Sequence, residues 1–127
     1  MAKAVLDASV VLASLQDEPG RALADAIAAD AAISSVNFAE VVSKLSGDGV
    51  PPVVIEETLR LWPLEIVPVD GALALAAGLL RAETRHLGLS LGDRFCLALG
   101  RQLALPIYTA KRRWVTLSPA FDVRLIR

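Results

Sequence analysis

The chain has 127 residues, a formal net charge of −1 and one cysteine. That length suits one domain spanning 1–127 with a core of its own. A single cysteine excludes an internal disulfide or a cysteine-built metal site, and the charge balance excludes a uniformly basic nucleic-acid binder.

The first predicted element is a short apolar strand, Ala4 to Leu6, that runs into one carboxylate, Asp7. A brief apolar run reads as a strand buried inside a parallel sheet. Asp7 and Ser9 then fall where the strand ends, which in open α/β sheets is the ligand crevice; both residue types also cap helices. A helix is expected from Val10 to Leu15, broken by Gln16-Asp17-Glu18-Pro19-Gly20. Arg21 to Ala29 is the next helix, with Leu23 and Ile27 four apart on one face. Ala31 to Ser35 reads as a second strand. Asn37 to Leu45 follows as a helix with Phe38, Val41, Val42 and Leu45 on one side. After a Gly- and Pro-rich loop, Val53 to Leu61 is helical until Trp62-Pro63 stops it. Leu64 to Val69 is a third strand. Asp70 caps a long helix, Gly71 to Leu87, which Gly88 closes. Ser90 to Ala104 is helical, Pro106 to Thr109 a fourth strand, and Val123 to Ile126 a short fifth strand at an edge. Strands alternating with helices predict a three-layer α/β/α domain on a mainly parallel five-stranded sheet.

Apolar residues make up 54% of the chain and the mean hydropathy is +0.52. That excess predicts a large core, an apolar partner surface, or both. No run is long enough to span a bilayer. The N-terminal stretch does not read as a signal peptide, because Asp7 interrupts it. A cytoplasmic protein without a membrane partner is therefore expected. Cys96 lies in an apolar helical run and reads as a buried, inert thiol.

Three acids share a position. Asp7 ends strand one, Glu40 lies early in the helix after strand two, and Asp93 lies in the first turn of the helix beginning near Ser90. All three can reach one end of a parallel sheet, where they repel one another unless a cation joins them. Oxygen ligands without His or Cys suit Mg2+ or Mn2+, which can activate water and stabilise phosphoryl charge. The competing reading is local: Asn37-x-x-Glu40 and Ser90-x-x-Asp93 both have capping-box spacing. Arg81, Arg85, Arg94, Arg112 and Arg113 either ring such a cleft or form solvated helix surface. His86 suits a helix C-terminus. Trp62 and Trp114 suit packing better than base stacking.

The segments Val5-Leu6-Asp7-Ala8-Ser9, Ser35-Val36-Asn37-Phe38-Ala39-Glu40-Val41, Leu89-Ser90-Leu91-Gly92-Asp93-Arg94 and Tyr108-Thr109-Ala110 resemble the ordered motifs of the PIN domain. The compact length is similar to the toxin nucleases of VapBC toxin–antitoxin systems. The resemblance implies an Mg2+- or Mn2+-dependent endoribonuclease with RNA as substrate and a small antitoxin as partner. It implies that Asp7, Glu40 and Asp93 hold the metal and that Thr109 lines the site. Ser9, Lys111, Arg94 and Arg112 are the candidate substrate-binding residues, and a homodimer is expected. The chain departs from the family at Lys111, where a fourth acid is typical. Lys111 either pairs with Asp7 or Asp93, contacts RNA phosphate, or silences the nuclease and leaves a binding protein. A phospho-receiver domain, with Asp70 as acceptor, is a third reading of the same acids, Thr109 and Lys111.

Overall fold

The computed structural model describes residues 1–127. Five strands form one sheet: β1 (Ala4–Leu6), β2 (Ala31–Ser34), β3 (Glu65–Val67), β4 (Ile107–Thr109) and β5 (Val123–Leu125), in the order β3-β2-β1-β4-β5. Every pairing is parallel, so the sheet is wholly rather than mainly parallel. Parallel neighbours need crossovers, and the helices supply them. They are α1 (Ala8–Leu15), α2 (Arg21–Ala28), α3 (Ser35–Gly47), α4 (Pro52–Arg60), α5 (Gly71–Glu83) and α6 (Leu91–Leu103), with short 3-10 helices at Arg85–Leu87 and Arg112–Leu117.

Successive strand residues point to opposite faces. Val5 faces a core built from Leu73, Ala77, Leu97, Leu99, Ile107 and Trp114, under α5 and α6. Leu6 faces a second core with Val10, Ala24, Ile33, Val41 and Ile55, under α1 to α4. Two helical layers thus sandwich the sheet, the predicted architecture. Cys96 is fully buried in the first core and burial pushes its thiol up, so it stays protonated.

Several boundaries differ from the sequence pattern, each for a local reason. The helix read as Gly71 to Leu87 breaks at Thr84, which is buried and whose Oγ1 donates to the Leu80 carbonyl. Its backbone leaves helical geometry (φ −111°, ψ 14°), and Gly88 completes the turn at φ +59°. In α2 the buried stripe is Ala24 and Ala28, while Leu23 is exposed; the small residues face the core. The cap of α3 is Ser34, whose Oγ accepts from the Asn37 N–H, so Asn37 lies inside the helix.

The strand order fixes where a site can form. The chain leaves β1 toward β2 on one side, and later crosses to β4 on the other. Between β1 and β4 the order reverses, which opens a crevice at the carboxyl ends. Asp7 follows β1 and Thr109 ends β4, so both stand on that crevice. The same order overturns the phospho-receiver reading. A receiver-type order, 2-1-3-4-5, sets strand three beside strand one. Here β3 is an edge strand, and the Asp70 carboxylate caps α5 by accepting from the Leu73 N–H at 2.8 Å.

Candidate functional site

Asp7 occupies the N-cap position of α1 but makes no side-chain cap bond. Its carboxylate is fully buried and turns into the crevice instead. Ser9 Oγ donates to Asp7 Oδ2 at 2.7 Å, and Thr109 Oγ1 donates to the same oxygen at 3.1 Å. Both hydroxyls are themselves held by β4 and its exit: the Ala110 N–H donates to Ser9 Oγ and the Lys111 N–H to Thr109 Oγ1, each at 3.0 Å. One carboxylate oxygen is therefore fixed through two hydroxyls. The other, Oδ1, is buried without any hydrogen-bond donor. A buried carboxylate oxygen without a partner costs free energy, so it marks a place where positive charge would be stabilising.

Asp93 serves two ends at once. Its Oδ2 accepts from the Ser90 N–H at 3.1 Å, and Ser90 Oγ accepts from the Asp93 N–H at 3.1 Å, a full capping box. Its Oδ1 points to the cleft and accepts from Lys111 Nζ at 2.5 Å. The two sequence readings of Asp93 are thus compatible, one oxygen for each.

Glu40 is held by a residue read from sequence only as a cap. Asn37 is fully buried; its Nδ2 donates to Glu40 Oε1 at 2.8 Å and to the Gly92 carbonyl at 2.9 Å, while Ser34 Oγ donates to its Oδ1 at 2.6 Å. Asn37 thereby ties α3 to the first turn of α6. The signal for this role was the three-residue spacing to Glu40, which puts both on one helix face. Gly92 completes the contact, because a Cβ there would collide with the Glu40 carboxylate. Partial burial raises the Glu40 carboxyl above the ordinary glutamate value. The Asn37 hydrogen bond opposes the rise, the charges of Asp7 and Asp93 add to it, and Lys111 opposes it. All four charged groups therefore share one electrostatic neighbourhood.

Lys111 is the positive member of that group. Its Nζ lies 2.5 Å from Asp93 Oδ1, 3.6 Å from Asp7 Oδ2 and 5.3 Å from the centre of the Trp114 ring. Burial alone would lower its pKa, but Asp7, Asp93 and Glu40 together raise it, so it stays charged at neutral pH. Trp114, fully buried, supports the ammonium with its ring face. No set of three His, Cys, Asp or Glu side chains stands at metal-coordinating spacing; the ammonium stands between Asp7 and Asp93 instead.

The predicted arginines divide. Arg81, Arg85 and Arg94 line one cavity of about 310 Å³ beside Ser90. Arg112 and Arg113 sit exposed on the 3-10 helix after β4 and do not line it.

The family model described as the PIN domain matches residues 4–116 of this chain. No curated protein sequence matches it. Three solved structures are similar. DNA-bound VapBC from Salmonella typhimurium shares 20% identity at a TM-score of 0.78, with both chains covered completely. A toxin–antitoxin complex from Klebsiella pneumoniae shares 19% at 0.77, with 98% of each chain covered. VapBC-5 from Mycobacterium tuberculosis shares 25% at 0.63, again with 98% of each chain covered.

Proposed function

The chain belongs to the PIN domain family, and on that premise we propose that it is a divalent-metal-dependent endoribonuclease, the toxin of a toxin–antitoxin pair. The observation that carries this reading is Asp7: fully buried at the crevice between β1 and β4, with Oδ1 lacking a donor. Asp7, Glu40 and Asp93 bring three negative charges to a site where Lys111 returns one. That oxygen-only, under-compensated set suits a hard dication in its chemistry, and with the Lys111 ammonium displaced from between Asp7 and Asp93 these three carboxylates would close on and hold Mg2+ or Mn2+. When bound, the ion supplies water activation and neutralises phosphoryl charge.

The remaining work falls to the chain itself. Ser9 and Thr109 lock Asp7 in one orientation. Asn37 holds Glu40 by Oε1 and leaves Oε2 available. That free oxygen is the one Glu40 would turn to the ion. Lys111, pinned by Asp93, can hold a nonbridging phosphate oxygen of the strand being cut.

The test is cleavage of single-stranded RNA with Mn2+ or Mg2+, with chelator as control. Cleavage should need the metal and vanish in Asp7→Asn. An Asp7→Asn protein that cuts RNA as well as the parent would remove the reading. The Lys111–Asp93 ion pair favours one alternative, a silenced PIN domain that binds RNA or a partner; RNA binding without metal-dependent cleavage would select it.

On the same proposal the partner is a small antitoxin, whose reading frame should lie beside this one, and the site of action is the cytoplasm. No helix is long and apolar enough to cross a membrane.

A further inference from the structure

The break at Thr84 has a chemical result. It folds Arg85 back toward the start of α6, where Arg81, Arg94 and Ser90 already stand, and the four line one cavity of about 310 Å³. None of these arginines joins an ion pair. The acid nearest Arg81 and Arg85 in sequence, Glu83, is bound by Arg101 at 3.0 and 3.4 Å, and Asp93, next to Arg94, is taken by the Ser90 N–H and Lys111.

Arg94 is the unusual member. It is only 9% exposed, its Nε has no partner, and its one side-chain hydrogen bond runs from Nη1 to the Gly78 carbonyl at 3.5 Å. A buried guanidinium with unused donors is costly unless an anion completes it. The start of α6 adds to the same field, since its first N–H groups lack helical acceptors and its dipole favours negative charge. The capping box uses the Ser90 and Asp93 N–H groups of that end and leaves those of Leu91 and Gly92.

We propose that this cavity is a phosphate subsite, where Arg81, Arg85 and Arg94 hold a backbone phosphate of the RNA strand next to the one cut at Asp7. The inference rests on the nuclease reading. Guanidinium forks match phosphate oxygens in pairs. Position favours an RNA phosphate over any other anion, because Ser90 belongs to both places: it lines the cavity and is bonded to Asp93 in the acidic site.

The test uses the full chain in chelator, so that RNA is bound and not cut. Binding of a short single-stranded RNA is followed by fluorescence anisotropy across a salt series, with inorganic phosphate as competitor. Arg81 and Arg85 are exposed, so the double variant Arg81→Gln/Arg85→Gln should fold normally. It should lose about tenfold or more in RNA affinity. Its log–log salt slope should shrink by about 0.7 for each lost phosphate contact. Phosphate should displace RNA from the parent more effectively than from the variant. Arg94→Lys, which keeps charge but not the fork, should weaken binding in the same direction.

Unchanged affinity and slope in the double variant overturn the subsite, whatever the nuclease does. A parent that binds phosphate but no RNA overturns it as well. So does displacement by a Glu-rich peptide and not by phosphate, which would assign the cavity to an acidic protein partner. Arginine-dependent RNA binding in a chain that never cleaves with Mn2+ would instead remove the nuclease reading and leave the subsite standing.

Discussion

Lys111 carries one positive charge among three negative ones, and its distances rank the partners: Asp93 at 2.5 Å, then Asp7 at 3.6 Å. A cation held there competes with any second cation for the same oxygens. Lys111→Asp removes the competitor and supplies a ligand. Because Lys111 is 39% exposed, solvent screens part of the effect, and the gain in Mn2+ affinity should be on the order of tenfold or more rather than the unscreened Coulomb value. Calorimetric titration reads the affinity, and RNA cleavage should rise with it; an unchanged affinity would mean that the ammonium does not contest the ion. Glu40 gives a second readout. Its carboxyl sits above the ordinary glutamate value, chiefly through burial, and Lys111 holds it down while Asp7 pushes it up. Carbon-13 NMR titration should therefore show Lys111→Met moving it higher and Asp7→Asn moving it lower. The sign for stability follows. The folded state binds this proton more tightly than the unfolded chain, so the contribution is full below the unfolded pKa. It is lost as pH rises through the folded one.

Two glycines of α6 separate site from core. Gly92 lies against the Glu40 carboxylate and Gly100 against the Ile107 side chain. Alanine at Gly92 meets the free end of a flexible side chain. Glu40 should swing away from Asn37 at little cost in stability, while metal affinity and cleavage fall several-fold. Alanine at Gly100 instead meets a residue only 1% exposed in the core. Overpacking there should cost about 1–3 kcal/mol, partly offset by about 1 kcal/mol of helix propensity. Thermal unfolding of both variants distinguishes them: a larger loss at Gly92 than at Gly100 would contradict these roles. What was legible at this scale was local. Asp70 as a cap and the Ser90–Asp93 box can be read from spacing, because neighbours in sequence make them; the strands can be read from their short apolar runs, though their partners lie far away in the chain. The end of α5 could not, since Thr84 stops the helix through a hydroxyl bond and burial that no 3.6-residue periodicity records. Asn37 looked like a cap for a related reason: the partner that gives it another role, the Gly92 carbonyl, lies 55 residues away.

Strand order belongs to the whole molecule, and the sequence pattern left it open. Alternating strands and helices specify a parallel sheet but serve orders 2-1-3-4-5 and 3-2-1-4-5 alike; pairing of β1 with β4 decides that Asp7 meets Thr109 and Lys111. The apolar excess was legible, and its location was not. Much of it lines the two cores, but Leu75 and Leu79 of α5 remain 65% and 67% exposed. Four residues apart, they form one stripe on the helix. We expect that stripe to meet its own copy in a homodimer. In a two-fold interface each substitution acts twice. Burying an exposed leucine contributes about 1.5–3 kcal/mol at most, so Leu75→Glu with Leu79→Glu should weaken the dimer by roughly a hundredfold or more. Sedimentation equilibrium at micromolar concentration reads the change. A parent that is monomeric there refutes the dimer; a double variant that dimerises as tightly as the parent moves the interface elsewhere, with the exposed Val53, Val54 and Leu61 at α4 as the next apolar surface.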